Sequence, residues 1–94
     1  MKAEVMFSKF KNYLIECGYK EYTPSGLPST VYQYITAIEK VRGWEGMSYG
    51  EVDENINELC REYDLGGSKE RLGATGHNTV INALKRYRLF LQMK

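Results

Sequence analysis

The spacing of apolar residues divides the chain into four helical stretches separated by Gly, Pro and Ser. In the first, residues 2–17, Ala3, Phe7, Phe10, Leu14 and Cys17 recur at steps of four and three, beginning at about Lys2. That is one stripe of a helix. Gly18 follows and suits the left-handed position that ends a helix. Thr23-Pro24-Ser25-Gly26-Leu27-Pro28 breaks any continuation, with Leu27 expected to turn inward. The second stretch starts at Ser29, a natural N-cap, and is expected to reach Arg42. Val31, Tyr34, Ile35, Ile38 and Val41 form its apolar stripe, and Trp44, between Gly43 and Gly46, is expected to cover the core. The third opens on Ser48-Tyr49-Gly50-Glu51, which has capping-box spacing, and buries Val52, Ile56, Leu59, Cys60 and Tyr63. The fourth follows a loop over residues 66–76, begins near Thr75 or Asn78, and buries Val80, Ala83, Leu84, Tyr87, Phe90 and Leu91. No segment alternates with period two for long enough to argue a strand. The expected fold is therefore all-α, a compact four-helix domain over residues 1–94.

Composition narrows the class. The chain of 94 residues is 43% hydrophobic and 27% charged, too apolar for disorder and too charged for a membrane span. The first residues carry charge where a signal peptide has its apolar core. Cys17 and Cys60 make neither a disulfide framework nor a CxxC zinc site. A reduced cytoplasmic protein without cofactor or membrane association is expected. The net charge of +1 hides an asymmetry: residues 45–64 carry one basic and seven acidic side chains, whereas residues 77–94 carry Lys85, Arg86, Arg88 and Lys94 with no acid.

Catalysis finds little to work with. His77 is the one histidine, and a lone imidazole at a helix start is more often a surface or capping residue than a general base. No nucleophile motif is present, and Gly66-Gly67 and Gly73-x-x-Gly76 lack the context of a phosphate loop. The acidic run 53–57 lacks the glycine and final Glu of a calcium loop. Among the eight tyrosines, Tyr34, Tyr63 and Tyr87 sit on apolar stripes, whereas Tyr13, Tyr19, Tyr22, Tyr32 and Tyr49 are expected nearer solvent or loops. None lies in a cluster of Arg and His that would make it a nucleophile.

Binding fits better. On the fourth stretch Asn78, Asn82, Lys85 and Arg86 are expected on one face, flanked by Thr79 and Arg88. Amides and guanidinium groups reach base edges in a major groove, and Lys and Arg neutralise phosphates. On the second, Thr30, Gln33, Ala37 and Lys40 form a polar stripe in which small Ala37 allows close approach. Both stripes are also what ordinary solvent faces look like.

The order of these features resembles the N-terminal core-binding domain of tyrosine recombinases, the phage-integrase type with a SAM-like helical fold. The resemblance rests on Phe7-Ser8-Lys9-Phe10-Lys11-Asn12-Tyr13-Leu14 followed by Gly18, on Ser29-Thr30-Val31-Tyr32-Gln33-Tyr34, and on the helix from His77 to Leu91. It implies that double-stranded DNA is held by the second and fourth helices. Position by position this implicates Thr30, Gln33, Ala37, Lys40, Asn78, Thr79, Asn82, Lys85, Arg86 and Arg88. A catalytic domain, or other copies on DNA, are further partners it allows. The family's catalytic set is absent from these residues, so the resemblance implies a DNA-binding module without chemistry of its own, either a piece of an integrase or a short stand-alone protein. A small helical protein–protein interaction module is the alternative, since fold does not fix function.

Overall fold

The computed structural model describes residues 3–93, with side chains from residue 8 onward. The expected start at Lys2 and the side chains of Ala3 and Phe7 lie outside the described residues. Six helices follow one another: α1 (Ala3–Glu16), α2 (Thr30–Glu45), α3 (Tyr49–Glu54), α4 (Ile56–Tyr63), α5 (Glu70–Gly73) and α6 (Thr75–Gln92). The described residues contain no strand, only an isolated antiparallel bridge between Tyr22 and Pro28. The radius of gyration, 12.7 Å, is close to the ~12 Å of a folded chain this long.

The helical architecture agrees with the apolar periodicity, but the described residues form six helices rather than four. Two local causes account for this. The expected third helix is interrupted at Asn55 (φ −107°, ψ 13°), whose side-chain amide donates to the Glu51 carbonyl at 2.8 Å. Asn competes with the helix ladder in this way. The expected loop 66–76 also contains α5, packed against α4. A Cβ on Gly73 would collide with the Tyr63 carbonyl, and one on Gly67 with the carbonyls of Arg61 and Glu62. Only glycine allows that approach.

The helix ends obey their caps. Tyr19 N–H donates to the Leu14 carbonyl and Gly18 N–H to that of Ile15, with Gly18 at φ +96°, a Schellman ending. α2 runs on through Gly43 to Glu45, and Gly46, also left-handed, ends it in the same manner. At α3 the capping box is complete: Glu51 N–H donates to Ser48 Oγ at 3.2 Å and Ser48 N–H to Glu51 Oε1 at 3.1 Å.

One core joins the helices. Phe10, Leu14, Val31, Ile38, Val41, Val52, Leu59, Tyr63, Leu84 and Tyr87 are fully or almost fully buried. α6 packs most broadly on α2, then on α4. The Phe10 ring meets Tyr87 edge-on at 5.1 Å and lies 5.4 Å from Phe90. Edge-to-face pairs of this kind add to simple burial. Two of the buried ring hydroxyls donate to carboxylates: Tyr63 to Glu45 at 2.9 Å and Tyr87 to Asp53.

Three expectations about single residues are corrected. Leu27 is 63% exposed rather than inward, because residues 22–28 close on themselves: Thr23 N–H donates to the Leu27 carbonyl and Gly26 N–H to that of Thr23. Cys17 is exposed, since α1 ends at Glu16. Tyr49 is buried rather than near solvent. Trp44, by contrast, covers the core as expected, stacked on the buried Tyr63 ring at 6.3 Å with its outer side exposed. Ile81, outside the expected stripe, is buried.

Candidate nucleic-acid interface

α6 begins irregularly. Gly76, His77 and Asn78 have φ of +67°, +58° and +69°, three successive left-handed residues, before a regular helix from Thr79. The left-handed conformation costs roughly 1–2 kcal/mol for a residue with a Cβ, less for Asn. The Asn78 N–H donates to Ala74, and the Thr79 hydroxyl donates to the Gly76 carbonyl, which hold the stretch in place.

This stretch forms one wall of a groove of about 710 Å³. Thr75, His77, Thr79 and Val80 stand on that side, and Gln33, Thr36, Ala37 and Lys40 on the α2 side. Tyr22, Pro28 and Tyr32 make the third wall. None of the lining residues is a carboxylate. Lys40 is exposed and has no ion pair among the described residues. Tyr22 and Tyr32 lie 5.4 Å apart, ring to ring, and the Tyr32 hydroxyl donates to Glu21 at 3.4 Å. The Lys11 ammonium sits 3.7 Å from the same carboxylate and 5.5 Å from the Tyr32 ring centroid. The Tyr32 hydroxyl and then Glu21 hold that ammonium above its ordinary value, so it stays charged. The adjacent Tyr32 hydroxyl likewise raises the Tyr22 phenol, which stays neutral.

Of the ten residues proposed from the sequence, Gln33, Ala37, Lys40 and Thr79 meet in this groove, with Ala37 buried in its floor. Thr30 is half-buried in the first turn of α2, outside the lining. Asn78 and Asn82 are exposed. The expected common face with Lys85 and Arg86 is corrected. Neighbouring residues on a helix point about 100° apart, and here each follows a different partner. Lys85 pairs with Asp64 at 3.2 Å. The Asp64 carboxyl is held below its usual range, first by the Leu65 backbone N–H and then by Lys85. Arg86 turns the other way: it donates to the Tyr19 hydroxyl at 3.0 Å and covers that ring at 5.4 Å. Arg88 is half-buried on the Lys85 side, close enough to Cys60 to oppose the rise that burial imposes on that thiol.

Tyr22, Tyr32, Thr36, Thr75 and His77 lie outside the polar stripes that the sequence points to for binding. The helical spacing of Gln33, Thr36 and Lys40 was the available sign for Thr36. Tyr22 and Tyr32 come together through the Tyr22–Pro28 bridge, for which the sequence carries only its Pro-Gly punctuation. No group of three or more His, Cys, Asp or Glu among the described residues is arranged to hold a metal ion. No helix among them is long and apolar enough to cross a membrane. Comparison of the chain with protein-family models, with curated proteins and with solved structures finds no match.

Proposed function

We propose that this chain is a cytoplasmic DNA-binding module that holds duplex DNA along α2 and the start of α6, as a recombinase core-binding domain does, without catalysis of its own. The observation that supports it is the groove between these helices: it offers Lys40, amide and hydroxyl groups, and no carboxylate to repel a phosphate. Lys40 neutralises backbone charge, and the exposed amides of Gln33, Asn78 and Asn82 supply base-edge contacts. Lys85 joins the phosphate contacts by exchanging Asp64 for DNA, while Arg86 stays with Tyr19 and braces α6. With Lys40 the one Lys or Arg among the described residues that line the groove, affinity is weak and salt-sensitive.

Anisotropy of a labelled 16-base-pair duplex, titrated at 20, 50 and 150 mM salt, tests this reading. Binding at 20 mM is expected to weaken steeply with salt, and Lys40→Ala to reduce the log–log slope by about one. Absence of binding at 20 mM overturns the reading. The interaction-module alternative draws on Leu27 and Tyr22, 63% and 52% exposed beside the groove. A salt-independent affinity for a protein partner, with no affinity for duplex, would favour it.

A further inference from the structure

We infer that the groove between α2 and the start of α6 takes one unpaired nucleotide, stacking its base on Tyr22 and holding its phosphate near Lys40 and His77. The inference deepens the DNA-binding reading of the same groove, and it stands on observations that a duplex alone does not require. The volume of about 710 Å³ falls within the ~300–1,000 Å³ of small-ligand sites. A base becomes available to such a cleft only when it leaves the stack or has no partner. One wall is aromatic: Tyr22 is 52% exposed, and its ring lies 5.4 Å from, and tilted by 45° to, that of Tyr32, which is anchored by Glu21 and Lys11. An exposed ring on a fixed backing is a stacking platform, tolerant of sequence because every base has a π-face.

The opposite side supplies complementary polarity. Lys40 and His77 are cationic or donor groups at the rim, and Gln33, Thr36 and Thr75 can bond to a base edge or a sugar hydroxyl. The nearest carboxylate on the aromatic side, Glu21, is occupied by the Lys11 ammonium and the Tyr32 hydroxyl. The ligand chemistry is thus a flat unsaturated ring carrying a phosphate. It has two possible sources, a free mononucleotide or an unpaired nucleotide within a strand.

The test compares three labelled 16-base-pair duplexes at 50 mM salt: blunt, with a four-nucleotide 3′ tail, and with the same tail made abasic. The bare tail is expected to bind roughly ten-fold tighter than the blunt end, the abasic tail no tighter. Tyr22→Ala should erase the gain, read as the ratio of tailed to blunt-end affinity in that same variant, while Tyr22→Phe keeps it. Circular dichroism checks that both variants retain their helicity. Equal affinity for tailed and blunt ends, or an abasic tail as good as a complete one, overturns the inference; persistent blunt-end binding would still leave the duplex reading standing. Conversely, Tyr22-dependent binding of the tail without any blunt-end binding supports the inference and sinks the duplex reading. Adenosine monophosphate added at millimolar concentration separates the sources. Displacement of the tailed strand shows that a free nucleotide suffices, and a retained Tyr22-dependent gain without displacement assigns the site to nucleotides in a strand.

Discussion

Two sides of α6 use the same residue types to different ends. Where α2 ends against α4 and α5, an ammonium, two carboxylates and a phenol answer one another. The Lys69 ammonium lies 2.7 Å and 2.8 Å from the two Glu45 oxygens and 3.6 Å from Glu62, and Glu45 also accepts from Tyr63. Trp44 stacks over the same tyrosine. Across the start of α6, Lys40 has no ion pair among the described residues, His77 and Asn78 hold an unfavourable backbone conformation, and Thr36 and Thr75 face open space in the groove. The first arrangement is a joint: its charges are satisfied inside the chain, so it has nothing left to offer a ligand. The second keeps its polar groups available. Charge alone does not mark a binding surface; at Lys40 an unpaired charge coincides with a groove lined by other polar groups.

The contrast is sharpest in stability. Tyr63 is almost fully buried at the centre of the joint, and Tyr63→Ala is expected to cost about 3–5 kcal/mol in urea denaturation. Alkaline titration should strike the same side. Burial raises the Tyr63 and Tyr87 phenols well above the ordinary tyrosine value, with the Glu45 and Asp53 carboxylates adding to it. The folded state therefore retains protons that the unfolded chain gives up above about pH 10, so stability is full below that pH and falls as pH rises past it. Tyrosinate absorbance should appear together with loss of helicity, and ionisation of all eight tyrosines without unfolding would contradict this burial. The groove side should be nearly inert. Lys40→Ala is expected to shift stability by less than about 0.5 kcal/mol, and His77→Gly to raise it by up to about 1 kcal/mol by relieving the left-handed strain. A large loss from either would make the groove a joint as well.

The parts of this architecture legible in the sequence are those governed by neighbours in the chain. Ser48 and Glu51 are three apart, and their reciprocal bonds need nothing else. Val80, Ala83, Leu84, Tyr87 and Phe90 share one stripe because helical spacing alone aligns them. What escaped depends on distant partners. Gly43 reads as a helix end, yet α2 passes through it because Gly46 completes the cap and Trp44 finds Tyr63. Residues 66–76 read as a loop, yet Gly73 meets Tyr63 closely enough to wind α5. The binding residues divide in the same way. Of the stripe Thr30, Gln33, Ala37 and Lys40, the last three line one groove together with Thr79, and Thr30 lies outside it. Helical spacing also aligns Lys85 and Arg86 with Asn82, yet Asp64 and Tyr19, 21 and 67 positions away in sequence, draw them to opposite flanks. Spacing predicts which way a side chain leaves its helix; it is silent on what waits there.

The glycine contact at Gly73 carries one more consequence. Thr75, the first groove residue of α6, lies two positions beyond a point where the backbone touches Tyr63 with no room for a methyl group. The doorway of the cleft is therefore framed by main chain bolted to a neighbouring helix, and its jamb does not swing. Any drift in what the cleft admits must be written on the α2 side, at Gln33, Thr36 and Lys40, where side chains can change without moving the frame.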